Sequence, residues 1–407
     1  MMFSFLHTQA QWDQSIIQNP GTGKYLVSIY GNADYSSSAV TSAFAANFLE
    51  GNYLNDNLKQ QVVSNLQTDN RLGFSLNYGI LGVLYNDTIG KKHVFNFFVA
   101  LRQRDYVNAS FTPDVFNVAF YGNASYAGES AKLSPFNLNS ISYQQLEIGS
   151  VCTNIGGKAK LGIGLSFLAG QQLQNINMST GYLYTDPLGQ YIQLNSDTKY
   201  NASDSTPGHT YLNGYGASLD IYFNMPYKIA SKNGTLTVSV NDLGFIKWNS
   251  HALSYNKDTT YNYNGININS INILQNAAIN NLSKDSLQNK YFPLARQSFY
   301  TSIPTTVSLN LNTDLGKMNL ELGAWYIFNA NCPPYFYVQG DKSFSHGWFT
   351  DLQLGYGGYC TYNASIGIMK QVKNTEIKLG LNHLPGIILP NELGGAGVSL
   401  QILHSFN

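Results

Sequence analysis

The stretch from Lys158 to Gly170, KAKLGIGLSFLAG, alternates strictly between two kinds of side chain. The odd positions from Leu161 to Phe167 are all large and apolar, and the even positions between them are Gly, Gly and Ser. Because successive side chains of a β-strand point to opposite faces, this period of two predicts a strand. One face of that strand is apolar and the other is small and polar.

The same alternation recurs along the chain, in segments 72–80, 307–312, 377–382 and 398–406. A soluble sandwich and a transmembrane barrel both produce it. Length favours the barrel, because the runs over 72–86 and 93–106 exceed both the usual globular strand and the roughly 9 to 11 residues of a tilted membrane crossing. Charged residues make up only 11% of the chain, against roughly 25% in soluble domains. We therefore predict an all-β transmembrane antiparallel β-barrel, with a soluble secreted β-sandwich or adhesin as the alternative.

About 14 strand-like runs can be counted, and through the first eight of them short turns alternate with long connections. Outer-membrane barrels show this arrangement, with short turns on one side and long loops on the other. Segments 55–68 and 270–288 of the long connections space their apolar residues as helices do, so short helices are expected in the loops. The predicted strands lie near 24–35, 70–86, 92–106, 139–153, 157–170, 211–224, 235–248, 302–314, 318–330, 334–342, 348–357, 362–373, 375–384 and 397–407.

The second faces of these strands carry scattered charges of both signs, as expected for a polar barrel lumen. Gly164 is expected to be a tolerant lumen position. Asp242 interrupts the alternation of its strand, and both a β-bulge and a lumen carboxylate explain it. The candidate lumen-facing residues are Arg102, Arg104, Glu147, Asp220, Glu321 and Lys378.

The chain ends on a strand, GGAGVSLQILHSFN, with Phe406 next to its last residue. In a barrel with an even number of strands, both termini lie on the short-turn side and the last strand pairs with the first, which leaves no open edge. Bacterial outer-membrane proteins typically end on such an aromatic strand, so we interpret Phe406 as an assembly signal.

Composition and motifs argue against several functions. The 23 basic and 23 acidic residues cancel, so no charged field attracts nucleic acid. Cys152, Cys332 and Cys360 form no metal-binding or disulfide pattern and are interpreted as small apolar residues. Neither GxSxG, HExxH nor a nucleotide fingerprint occurs, and the seven histidines are dispersed. We expect no catalytic residue, no metal and no cofactor, and hence no enzyme.

The N-terminal run MMFSFLHTQA ends on a small-residue pattern suited to signal-peptide cleavage. Residues 1–10 are therefore interpreted as the remnant of a signal peptide, and residues 11–407 as a single barrel domain in lipid of the cell outer membrane.

Four motifs carry a resemblance to a known group: VSVNDLGFIKWNS, LQLGYGGYCTYNASIGI, NHLPGIILP and the closing GGAGVSLQILHSFN. Together they resemble an uncharacterised family of Bacteroidota outer-membrane barrels, which is distantly similar to fatty-acid-transporter-type barrels and to the PorV-type barrels of type IX secretion. The resemblance implies a non-enzymatic protein, either an accessory or structural component of a larger outer-membrane assembly or a channel for small hydrophobic or amphiphilic compounds. The resemblance assigns no functional residue in this sequence.

Overall fold

The computed structural model describes residues 24–85, 94–155, 158–204, 212–229, 232–264, 294–316 and 318–406. These residues form one antiparallel sheet of 19 strands. In chain order the strands are β1 (Tyr25–Ser37), β2 (Asn70–Tyr85), β3 (Val94–Phe111), β4 (Ser130–Lys132), β5 (Phe136–Ile155), β6 (Ala159–Thr185), β7 (Ile192–Ala202), β8 (Gly214–Ile229), β9 (Lys232–Trp248), β10 (Leu253–Tyr263), β11 (Ala295–Arg296), β12 (Tyr300–Ser302), β13 (Thr305–Asp314), β14 (Asn319–Phe328), β15 (Tyr335–Ser343), β16 (Trp348–Gly357), β17 (Tyr362–Val372), β18 (Thr375–Asn382) and β19 (Gly394–Phe406).

Fourteen of these strands close into a barrel. Its order is β1, β2, β3, β5, β6, β8, β9 and then β13 through β19, and β19 pairs back onto β1 from Tyr25↔Phe406 to Ser37↔Gly394. Each of the 14 predicted strands overlaps one barrel strand, so the predicted fold is confirmed. A sandwich has two separate sheets, and the single closed sheet is therefore incompatible with the alternative.

The two ends of the barrel differ. The turn end carries both termini of the barrel and short turns such as 344–347 and 373–374. The loop end carries the long connections, and with them the helices α1 (Ser42–Leu49), α2 (Asp56–Asn65), α3 (Pro113–Tyr121) and α4 (Leu384–Ile388).

The first three helices pack on one another over the loop end. Their apolar cluster includes Phe44, Val62 and Phe116. Asn55 caps α2, because its side chain accepts a hydrogen bond of 3.0 Å from the Leu58 amide. The helix predicted within 55–68 is thus confirmed, whereas the one predicted within 270–288 lies outside the described residues.

A second sheet region projects beyond the barrel wall and is here called the arm: β4, residues 174–185 of β6, β7 and β10. Beyond Gln174, β6 leaves β8 and pairs with β7, which in turn pairs with β10. The prediction of long connections in place of these strands was wrong. One face of β7 is polar throughout, and on the other face Ser196 and Thr198 interrupt the apolar side chains, so its apolar alternation is shorter than that of the barrel strands.

The outer face of the barrel is apolar all the way around. Every barrel strand presents at least one large hydrophobic side chain that is exposed, which forms a belt: Ile29, Ile80, Leu101, Ile148, Leu165, Ile221, Leu243, Leu309, Leu322, Val338, Leu354, Ile368, Leu379 and Leu400. Within the described ranges, no helix combines the length and apolar character needed to cross a membrane.

Candidate functional site

The six charged residues predicted to face the lumen lie on inward-facing positions of the barrel. Five of them are buried, and Lys378 is partly exposed. Four come together in the first half of the sheet, namely Arg102, Arg104, Glu147 and Asp220. Glu321 stands apart on β14, where it accepts a 2.7 Å hydrogen bond from the Tyr337 hydroxyl. Lys378 lies 3.9 Å from Glu376 on the same strand.

Arg102 and Arg104 lie two residues apart on β3, so their side chains share one face of the strand. That face points inward. The Arg102 guanidinium forms an ion pair with Glu147 of β5 and donates a 2.8 Å hydrogen bond to the Tyr30 hydroxyl of β1. Arg102 and Glu147 expose only 8% and 1% of their side-chain surfaces. A buried guanidinium without a partner is costly, so this pair ties three strands together through the lumen.

Arg104 meets a second carboxylate, Asp242 of β9, at 3.5 Å. Asp242 has a positive φ of 58°, and β9 places one extra residue opposite Asp220 of β8. The Asp242 amide donates to the Asp220 carboxylate, and Gln145 donates a 2.8 Å hydrogen bond to Asp242 Oδ1. Asp242 is therefore both a β-bulge and a lumen carboxylate. The break in alternation was its sequence signal.

These side chains, Arg102, Arg104, Gln145, Glu147, Asp220 and Asp242, are here called the ionic layer. Gln145 gave no sequence signal beyond its place on an alternating strand. The expectation that Gly164 tolerates a side chain was wrong, because a Cβ there would lie 2.2 Å from Glu147 Oε1. Gly164 on β6 leaves space for the Glu147 carboxylate of the neighbouring strand β5.

On the side of the barrel formed by β1–β9, apolar side chains pack above and below the ionic layer, whereas the buried inward positions of β13–β18 are mainly polar. The inward positions of β3 show the order, with Phe98 toward the turn end, Arg102 and Arg104 in the middle and Tyr106 toward the loop end. The turn-end cluster consists of Leu26, Leu81, Val83, Tyr85, Phe98, Ala100, Val151, Tyr222 and Leu403. The loop-end cluster consists of Tyr106, Ile141, Tyr143, Leu168, Leu173, Ile246, Trp248, Ala252 and Ile303.

Contacts also cross the lumen from the opposite side of the sheet. Asn331, between β14 and β15, donates a 2.8 Å hydrogen bond to Asn108 of β3. The ring of Tyr359, which follows β16, lies so close to Gly73 of β2 that a Cβ there would come within 2.2 Å of it. The lumen is thus occupied by the chain's own side chains at several levels.

A small cavity lies near the loop end, with a volume of about 30 Å³. Its wall includes the aromatic rings of Trp325, Tyr335 and Tyr359, and polar side chains such as Gln353 and Asn363. The His, Cys, Asp and Glu side chains of the described ranges form no group of three or more that is placed to hold a metal ion.

Phe406 lies at the turn end on the outward face and is 47% exposed. Its ring packs edge-on against His404 at 4.5 Å between centroids, and it sits opposite Tyr25 of β1. Tyr25 and Phe406 therefore form an aromatic pair at the turn-end border of the apolar belt. Its role as an assembly signal stays a prediction.

Three solved structures align with nearly the whole chain. A mutant of TodX, a monoaromatic hydrocarbon channel, aligns at 6% identity with a TM-score of 0.48, over 97% of this chain and 94% of its own. A Pseudomonas aeruginosa FadL homologue aligns at 11% identity with a TM-score of 0.46, covering 94% and 91%. The Pseudomonas putida toluene transporter TodX aligns at 7% identity with a TM-score of 0.44, covering 98% and 95%.

The search of curated proteins finds no match to this sequence. A family model described as a family of unknown function, DUF5723, matches residues 23–379, which is most of the chain. The protein therefore belongs to the family of unknown function DUF5723.

Proposed function

We propose that this protein is an outer-membrane barrel that serves as an accessory or structural component of a larger outer-membrane assembly and carries no solute through its lumen. The observation that carries the proposal is the filled lumen. An open pore needs a water-filled path, whereas here the inward side chains from both halves of the sheet are buried. On the side formed by β1–β9, an ionic layer lies between two apolar clusters.

The membrane location is supported by two features. The closed sheet pairs the backbone of β1 with both β19 and β2, and such closure is what a β-structure needs in hydrocarbon. The exposed apolar belt covers all 14 barrel strands, which matches the lipid-facing band of outer-membrane barrels. On this proposal the turn end faces the periplasm and the loop end faces outward.

The docking role is supported by the arm and by the helices over the loop end. A barrel that only conducts solutes has no need of a sheet that projects past its wall. The arm presents exposed apolar side chains at its tip, including Leu188 at 80% exposure and Tyr182 at 44%. Because the family that the four sequence motifs resemble is distantly similar to PorV-type barrels, a secretion-related assembly is the first one to test.

A second candidate is a channel for small hydrophobic or amphiphilic compounds. The loop-end cavity favours it, because three aromatic rings and several polar groups line it. Its volume of about 30 Å³ must widen before a small amphiphile fits. On this alternative the ionic layer must rearrange to let the compound pass.

The experiment is gentle detergent extraction of the tagged protein from its native membrane, followed by identification of co-purifying proteins. We expect a stoichiometric partner with the intact chain. The matched control replaces residues 179–197 at the arm tip with a short Gly-Ser turn and should keep the heat-modifiable barrel but lose the partner. Purification of the intact chain alone, in membranes that contain its native neighbours, would contradict the proposal.

A further inference from the structure

Three chemically complementary side chains meet at the loop end, next to the cavity. Cys360 lies in the turn between β16 and β17, His383 directly follows β18, and Asp34 belongs to β1. The Cys360 Sγ atom is 3.3 Å from His383 Nδ1, and His383 Nε2 is 2.9 Å from Asp34 Oδ1. Both ring nitrogens of the imidazole are thus engaged, one with a thiol and one with a carboxylate.

The surrounding structure fixes this arrangement. Asn382 donates a 3.3 Å hydrogen bond to the second oxygen of Asp34. His383 adopts a left-handed conformation with φ of 55°, which is rare for a residue other than glycine and is concentrated at functional sites. Gly395 packs behind the ring, since a Cβ there would lie 2.8 Å from His383 Cβ.

The backbone before Cys360 is also unusual. Gly357 and Gly358 have φ values of 101° and 70°, so only glycine adopts this turn without strain. Both glycines line the cavity together with Cys360 and His383, each of which is only 8% exposed. The turn therefore presents the thiol to an enclosed space near the loop end.

The arrangement has the parts of a nucleophilic centre. A nucleophile within hydrogen-bond reach of a base, with the base oriented by a third group, is the recurrent geometry of covalent catalysis. Burial favours the neutral imidazole, but the charges of Asp34 and Cys360 outweigh it and raise the pKa of His383 well above its usual range. The ring therefore holds a proton beside the sulfur, which leaves the sulfur free to attack and supplies a proton for a leaving group.

The cavity leaves about 30 Å³ beside the thiol, which is room for a group of only a few atoms. Its aromatic wall suits the apolar part of a short acyl group such as acetyl. Asn363 Oδ1, which lines the same space, is buried without a hydrogen-bond partner among the described residues. Since buried polar atoms are rarely left unpaired, this acceptor points to a donor group on a ligand.

We propose that Cys360 is the nucleophile of an acyl-transfer centre at the loop end, with His383 as its general base and acid and Asp34 as the residue that orients His383. The substrate class is a small acyl ester that enters the cavity. This activity goes beyond the docking role and also departs from the expectation that the chain is not an enzyme.

In the first step the Cys360 sulfur, whose proton already lies on His383, attacks the ester carbonyl carbon. A C–S bond forms, the ester C–O bond breaks, and the leaving alcohol takes the proton from His383. In the second step water attacks the thioester and gives a proton to the now neutral His383. The carboxylic acid leaves, and His383 keeps the proton beside the Cys360 sulfur, as at the start.

The test uses the purified, heat-modifiable barrel in detergent with p-nitrophenyl acetate as the probe. We expect a burst of p-nitrophenolate and acetylation confined to Cys360 by peptide mass spectrometry. Cys332, buried in an apolar cluster, and Cys152, near the turn end, are internal controls in the same chain. Equal acetylation of Cys152, or none at Cys360, would overturn the proposal without any variant.

Single variants test the roles of Cys360, His383 and Asp34 separately. Cys360→Ala should remove the burst, and His383→Gln should slow acetylation about 10²-fold, the usual contribution of a general base. Asp34→Asn should lower the maximal rate and leave the half-saturating ester concentration unchanged, a split that a merely structural role does not produce. Cys152→Ser should behave as the wild type. An unchanged rate in folded His383→Gln protein would refute the assignment of the base.

Discussion

Truncation of the chain after Gly397 is expected to abolish assembly of the barrel. The cut removes residues 398–406 of β19, which pair with β1 from Ala33 to Tyr25 and also with β18. Both neighbouring strands then keep unpaired N–H and C=O groups in hydrocarbon, where each unmade hydrogen bond costs several kcal/mol. The truncated chain should be missing from the washed membrane fraction and should show no heat-modifiable band.

Two point variants distinguish the effect of closing the sheet from the effect of the Phe406 side chain. Phe406→Ala keeps the backbone pairing and should lower only the assembled yield. Ser405→Ala, next to it on the opposite face, should behave as the wild type. Insertion of the truncated chain at the wild-type level would show that the last strand does not close the sheet.

Loss of the buried carboxylate in Glu147→Leu should destabilise the folded barrel by about 3–5 kcal/mol, the usual result of stranding one member of a buried ion pair. Arg102 would keep its hydrogen bond to Tyr30 but lose its ion-pair partner. The free energy of unfolding, measured by urea titration of the barrel in lipid vesicles, should fall by this amount. The double variant Arg102→Met with Glu147→Leu should recover most of the loss, because no unpaired charge remains.

The matched control is Asp69→Asn, which breaks the ion pair with Arg71. These two side chains expose 51% and 32% of their surfaces, so the change should cost at most about 1 kcal/mol. An equal loss in Glu147→Leu and in the double variant would mean that packing, rather than charge pairing, holds the ionic layer.

The wall of the barrel was predictable from the sequence because its surroundings impose the pattern. An apolar exterior and a small polar interior force a period of two on every barrel strand, and the segment Leu161–Phe167 shows it plainly. The arm was not predictable for the converse reason. On β7, Ser196 and Thr198 interrupt the apolar face, so the alternation is too short to distinguish the strand from a loop.

Contacts inside the lumen depend on strand register, which one sequence does not specify. Placing Glu147 on an inward face follows from alternation, but its closeness to Gly164 on the next strand does not. The contacts among Cys360, His383 and Asp34 were likewise not predictable, because Asp34 lies more than 300 positions earlier in the chain than the other two. The interpretation of Cys360 as merely a small apolar residue leaves out its contact with His383.

The central claim, a lipid-embedded barrel closed by its own side chains, is tested most directly by electrical recording. Folded protein, verified by its heat-modifiable band, is reconstituted into planar lipid bilayers at a known protein-to-lipid ratio. We predict insertion without stepwise ionic conductance. Steady, reproducible single-channel steps from the wild-type protein would contradict the account, because ions would then have a continuous path past the ionic layer and its two apolar clusters.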